Sequence, residues 1–215
     1  MLALKAAEKY GAETEWIHLY DLNIKPCLGC VSEDIMACKY PCIIKDDMIK
    51  VYEAVRKADA VIFATPVYWY SPSGVMKNVI DRLTVFENMI HIDGKSWLDG
   101  KVAGFIATGN DSGAMFAIAQ LMSIMNSMGM VIPPWSMAYT NEVGEPLENK
   151  AFVTDALNVG RTVVMMLKAM SGEKVEKWYD PELYNWYEKE LKDWLISLVK
   201  EEEAKAEKPW KSSTS

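Results

Sequence analysis

Apolar positions fall in two rhythms along this chain, and the switches between them mark its elements. Ala60 to Ala64 and the run from Lys101 to Ala107 are almost without polar side chains, the pattern of strands buried on both faces of a parallel sheet. Met130 to Pro133 reads as a third short strand, and Thr14 to Tyr20, with Trp16, Ile17, Leu19 and Tyr20, as a fourth. Between them lie helical stretches. Leu2 to Tyr10 has high helix propensity, with Gly11 where a C-cap belongs. Asp46-Asp47 precede a stripe of Met48, Val51, Tyr52 and Val55 that runs to Lys57. Val75 to Leu83 opens a helix that ends near Met89, and Ala114 to Met128 is an apolar, methionine-rich helix stopped by Gly129. Phe152, Val153, Ala156, Leu157, Gly160, Val163, Val164 and Leu167 mark one face of a further helix ending near Met170. Asp21 to Lys45, His91 to Gly100 and Trp135 to Glu148 read as loops.

This alternation predicts an α/β doubly wound parallel sheet occupying residues 1–171. From Gly172 the composition shifts. Asp180-Pro181 start an amphipathic helix with Leu183, Trp186, Tyr187, Leu191, Trp194, Leu195 and Leu198 at helical spacing, followed by a polar, frayed tail from Glu201. Residues 172–215 therefore form an extension, and two tryptophans on one stripe favour a contact between subunits.

Composition narrows the function classes. Half of the 215 residues are apolar, enough for a substantial core, and the formal net charge of -7 excludes a binder of nucleic-acid backbones. No apolar run is long enough to span a bilayer and no secretory pattern opens the chain, so a cytoplasmic location without membrane insertion is expected. The four cysteines, Cys27, Cys30, Cys38 and Cys42, all lie in one loop and cannot make a disulfide framework for the chain. No Ser-His-Asp spacing, HExxH or phosphate P-loop is present. His18 and His91 read as packed or surface residues, and Met115, Met122, Met125 and Met128 as packing. No side chain is assigned a catalytic role; a cofactor must carry the chemistry.

Two loops offer a place for one. In parallel sheets ligands sit beyond the carboxyl ends of the strands. After the first buried strand come Thr65, Pro66, Val67, Tyr68, Trp69, Tyr70, Ser71, Pro72, Ser73 and Gly74, whose three adjacent aromatics cannot all turn inward and must face a flat ligand or an interface. After the next comes Thr108, Gly109, Asn110, Asp111, Ser112 and Gly113, a small polar loop whose backbone N–H groups can approach a ligand closely.

Thr65-Pro66-Val67-Tyr68-Trp69, then Ser71-Pro72-Ser73-Gly74 and Lys77-Asn78-Asp81-Arg82, resembles the flavin loop of the flavodoxin-like NAD(P)H-dependent FMN reductases, a family that includes the iron-sulfur flavoproteins and the multimeric flavodoxin-type quinone reductases. The resemblance extends from the start of the chain to about Gly172. It implies a flavodoxin-like fold, FMN held by the two loops, and NAD(P)H as the hydride donor. The electrons would pass on to a quinone, flavin or other small-molecule acceptor, and the assembly would be a homodimer or homotetramer. Rival readings are an electron-transfer flavoprotein serving a protein partner, and a flavin-free interaction scaffold.

Two departures from the family pattern carry expectations of their own. Iron-sulfur flavoproteins have a compact C-x2-C-x2-C-x4-7-C run, whereas here Glu33 stands where the third cysteine is expected and Cys38 and Cys42 follow. A 4Fe-4S cluster, a zinc ion or free thiols are all open, with free thiols the preferred reading. The chain also begins where the first helix of a flavodoxin-like domain is under way. The first strand and the phosphate loop are then expected to be missing, leaving the strand Thr14 to Tyr20 without its ladder partner.

Overall fold

The structure is a computed structural model and describes residues 1–206. Its sheet has four strands: β1 (Ala60–Tyr68), β2 (Ser71–Pro72), β3 (Val102–Thr108) and β4 (Met137–Thr140), in the order β2-β1-β3-β4. β1, β3 and β4 are parallel, and the short β2 folds back antiparallel on the end of β1. The helices are α1 (Leu2–Lys9), α2 (Met48–Lys57), α3 (Gly74–Glu87), α4 (Ala114–Ser127) and α5 (Lys150–Met170), followed by α6 (Leu183–Trp186), a π turn (Tyr187–Leu191) and α7 (Lys192–Lys205). They cover both faces of the sheet, the doubly wound α/β arrangement that the alternating pattern predicts. On one face α2, α3 and α4 bury Val51, Tyr52, Phe86, Ile118 and Leu121 against Phe63 and Phe105 of the strands. On the other, α5 and α1 meet so closely that a Cβ at Gly160 would stand 1.8 Å from the Ala3 carbonyl oxygen. Only glycine permits that approach.

Three elements differ from the sequence expectation. Thr14 to Tyr20 is not a strand: it runs as unpaired chain into a 3-10 turn at Leu19–Asp21. Its period of two is nonetheless real. Ile17 and Leu19 pack on the main core, while Trp16, His18 and Tyr20 stack in a row on the other side. What it lacks is a ladder: among the described residues the outer edge of β1 from Ala60 to Pro66 has no strand beside it. An alternating segment without a neighbour cannot become a sheet strand.

Met130 to Pro133 makes only the isolated bridge from Val131 to Val102, because Pro133-Pro134 cannot donate to a ladder. The strand forms instead at β4, inside the stretch expected to be a loop, where Met137 to Thr140 pairs with Phe105 to Thr108.

The C-terminal stripe folds back on its own domain rather than lying open for a partner. Leu183, Tyr187, Leu191 and Leu195 are buried against Leu2, Ala3, Ala6, Phe152 and Leu157. Steps of four residues overshoot the helical turn of about 3.6, so this row drifts around an ordinary helix, and the wider π turn takes up part of the drift. Trp186 and Trp194 lie on the rim beneath the ammonium groups of Lys9 and Lys5, at 4.5 and 5.2 Å from their ring centroids. Of the tail expected from Glu201, Glu201 to Lys205 belongs to α7, Ala206 caps it, and residues 207–215 lie outside the described residues. No described helix is long and apolar enough to cross a membrane.

Candidate functional site

The parallel register of β1 and β3 sets Pro66 beside Thr108, so the aromatic loop and the polar loop leave the sheet side by side. The aromatic loop is a tight hairpin. Tyr68 pairs with Ser71, and the two residues between them, Trp69 and Tyr70, have φ of 51° and 66°. Such turns normally recruit Asn and Gly, and left-handed backbone at a bulky residue costs about 1–3 kcal/mol. The surroundings hold it in place. Gln120 of α4 donates to the Tyr70 carbonyl and to Ser71 Oγ at 3.4 and 3.3 Å, and Phe116 meets the Tyr70 ring edge-on with centroids 6.1 Å apart. Gly113, itself at φ +90°, lies against Tyr70 so tightly that a Cβ there would come within 2.7 Å of the Tyr70 Cα.

The consequence is an aromatic wall fixed from behind and bare in front. Trp69 is 93% exposed, and Tyr68 and Tyr70 are more than half exposed. Thr65 and Ser73 serve from beneath: both are buried, the Ser73 N–H donates to Thr65 Oγ1 at 3.0 Å, and Ser73 Oγ caps α3 by accepting from the Met76 N–H. Pro66, Val67 and Ser71 are half-buried, and Gly74 opens α3. Desolvation, with the neighbouring Tyr20 hydroxyl, holds the Tyr68 phenol above the ordinary tyrosine range.

The polar loop is pinned at both ends and free between them. The Gly109 N–H donates to the Thr140 carbonyl at 2.9 Å, and the Ala114 N–H to Asn141 Oδ1 at 3.0 Å. Asn110, Asp111 and Ser112 are exposed, and the N–H groups from Asn110 to Gly113 bond to none of the described residues. A Cβ on Gly109 would stand 3.4 Å from the Val67 Cβ, so the two loops touch. A row of unspent donors beside an exposed aromatic wall fits a planar group with one apolar and one polar end. The residues are therefore suited to FMN. Asn141, which fixes the donor loop, was hidden in the sequence because the strand before it was too short to recognise.

The cysteine loop forms a second feature beside α3. Cys27, Cys30, Cys38 and Cys42 are unpaired as disulfides, yet all four line one cavity of about 270 Å³ with Leu28, Ile43, Arg82 and Val85. Among the described residues they are not drawn in to metal-binding geometry. Their number and kind nevertheless fit a thiolate-held group. Burial, reinforced by Cys27, Cys42, Cys30 and Glu87, pushes the Cys38 thiol up to about 11.

Three side chains at one end of the core tie this loop to α3 and the turn after it. Asn78 donates to the Ile24 carbonyl at 3.0 Å, and Asn88 to the carbonyls of Ile35 and Cys38, both at 2.7 Å. Between them Arg82 forms a buried pair with Asp46, at 2.8 and 3.1 Å, and also donates to the carbonyls of Lys25 and Ile44. Burial raises the Asp46 carboxyl, but hydrogen bonds from Arg82 and the Lys25 N–H outweigh it and leave the group below the usual carboxylate range. The sequence marked Arg82 only as part of a motif. That Asp46 answers it across the core was not visible, because the two are 36 residues apart and Asp46 reads as a helix-start signal.

A family model of NADPH-dependent FMN reductases matches residues 1–143. An iron-sulfur flavoprotein of Archaeoglobus fulgidus is 30% identical over 153 residues, 69% of this chain and 66% of that one. A second iron-sulfur flavoprotein of the same organism is 46% identical over 76 residues, 35% of each chain. The aligned part of the chain thus spans between about a third and two thirds of these relatives. Among solved structures, RosB with a bound intermediate, 8-demethyl-8-formylriboflavin-5'-phosphate, superposes with a TM-score of 0.66 at 18% identity, covering 96% of this chain and 79% of that one; the likeness is one of fold. With the doubly wound sheet and the paired loops at its edge, these matches establish that the chain belongs to the NADPH-dependent FMN reductase family.

Proposed function

We propose that this chain is an FMN-dependent oxidoreductase that takes hydride from NAD(P)H and delivers the electrons to a quinone, free flavin or another small-molecule acceptor. The observation that carries the reading is the bare, rigid Trp69 turn beside a loop of unspent N–H donors. When bound, FMN supplies the redox chemistry, accepting hydride from the nicotinamide and passing electrons on. The chain supplies orientation and electrostatics. Tyr68, Trp69 and Tyr70 offer apolar area to the flat ring, and the N–H groups of Asn110 to Gly113 offer donors to its polar end. No side chain at the two loops has to gain or lose a proton. The exposed indole leaves room for a second flat reactant from the solvent side. Trp69, Phe116 and Met115 together leave an apolar surface that supports a homodimer or homotetramer covering it.

The four-cysteine cavity supports a second redox centre. Cys27, Cys30, Cys38 and Cys42 would hold a 4Fe-4S cluster there, in place of the free thiols preferred from spacing alone, because the fold brings all four to one cavity. The absorption spectrum of the purified chain, recorded before and after incubation with FMN, tests the proposal. A flavin spectrum that stays with the protein through gel filtration, at one FMN per chain, is expected. A colourless protein that takes up no FMN overturns it and favours the interaction scaffold.

A further inference from the structure

Arg82 is 1% exposed and sits two turns into α3, about 12 Å along the helix from Gly74 and the aromatic loop. A guanidinium has five N–H donors in a rigid fork. Four are spent: two on the Asp46 carboxylate, one on the Lys25 carbonyl and one on the Ile44 carbonyl. Those carbonyls stand two residues before Cys27 and two after Cys42, so a single side chain fastens the chain on either side of the cysteine set. The fifth donor, the Nε–H, is buried and has no partner among the described residues, and Arg82 lines the cavity with all four cysteines. Burying a donor without an acceptor is costly, and Arg82 belongs to the wall of a cavity that thiolates and sulfide would fill with acceptors.

We propose that Arg82 is the positioning residue of the four-cysteine site: it closes the loop around the cavity and gives its Nε–H to a sulfur of the group held there. The second half of this rests on the reading of the cysteines as the holders of an iron-sulfur cluster. Hydrogen bonds to its sulfurs are among the factors that set a cluster's reduction potential. Lysine at position 82 keeps the positive charge but loses both the fork and the Nε–H. Ser73 of the aromatic loop caps α3, so the helix that carries Arg82 starts where that loop ends.

The test uses the full chain, as wild type, Arg82→Lys and Asp46→Asn. Each is reconstituted anaerobically with ferrous iron and sulfide, and iron and labile sulfide are counted after gel filtration. The wild type is expected to hold about four irons per chain. Asp46→Asn is expected to lose at least half of them, and Arg82→Lys to titrate at a lower midpoint potential. In parallel, amide hydrogen exchange of the chains without iron reads the fastening alone: residues 24–45 should exchange about tenfold faster in Arg82→Lys while α4 is unchanged. Wild type that takes up no iron overturns the cluster reading and with it the donor role, and leaves the fastening to be decided by exchange. Iron retention and potential equal in all three proteins, where the wild type is loaded, overturn the donor role while the cluster reading stands. Unchanged exchange overturns the fastening.

Discussion

Replacing Trp69 by glycine should make the protein without flavin more stable and its grip on FMN weaker. Both signs follow from the turn. The indole is 93% exposed, so its removal forfeits almost no packing, while φ of 51° is a conformation that glycine adopts freely. Relief of the left-handed backbone is worth about 1–2 kcal/mol, and the extra freedom of glycine in the unfolded chain takes back about 0.5–1 kcal/mol. The net is a gain of about 0.5–1 kcal/mol. An indole that lays about 100 Å² on a flavin ring contributes, at about 25 cal/mol per Å², about 2.5 kcal/mol, or about 60-fold in Kd. Alanine is the control: Trp69→Ala keeps the strained backbone, so its stability should stay within about 0.5 kcal/mol of wild type while FMN binding weakens as in the glycine variant. Urea unfolding of the flavin-free proteins gives the first quantity, and titration of flavin fluorescence the second. Trp69→Gly less stable than Trp69→Ala would show that the turn stores no strain, and FMN binding by both variants as tight as in wild type would show that the indole does not face the flavin.

Cys38, pushed up to about 11 by burial, should react with an alkylating agent about 100-fold more slowly at pH 8 than an unshifted thiol, and peptide mapping after timed quenching would show it. The Asp46 carboxyl is held low in the folded chain, so its contribution to stability is complete above about pH 4 and is lost as the pH falls through its depressed value. Asp46→Asn should therefore lower stability at neutral pH and flatten the acid limb of the denaturation profile; an acid limb identical to wild type would exclude that role. Leu195→Ala should cost about 2–4 kcal/mol by opening a cavity against α1 and α5, without changing the sedimentation coefficient, whereas dissociation of an oligomer would place the C-terminal stripe at a subunit contact.

The parts of this fold that were legible in the sequence are those with a local cause. Val102 to Ala107 is apolar throughout because both faces of that strand are covered, and Ser73 announces α3 because a capping hydroxyl must stand next to the helix it caps. The aromatic loop was legible too, since three adjacent aromatics among prolines and serines have few places to go. What stayed hidden has long-range causes. β4 is four residues long and becomes a strand only because β3 offers it an edge, whereas Thr14 to Tyr20 has the pattern of a strand and pairs with none of the described residues. The left-handed backbone at Trp69 and Tyr70 could not be read from residue types that avoid it; Gly113, Gln120 and Phe116 impose it from another element. The x7 gap between Cys30 and Cys38 left a cluster, a zinc ion or free thiols open; that all four cysteines line one cavity depends on carbonyls caught by Arg82 and Asn88, far away in the chain.

The central claim is that the two strand-end loops hold an FMN that NAD(P)H can reduce. Its most direct measurement is anaerobic: the chain is loaded with FMN, passed through gel filtration to remove free flavin, and mixed with NADPH or NADH while the flavin absorption band is followed. Bleaching of the bound flavin by at least one of the two nucleotides is expected, with return of the band when a quinone is added and a much smaller bound fraction in Trp69→Ala. Flavin that is bound stoichiometrically yet keeps its full absorption in the presence of excess NADPH and NADH would contradict the central claim.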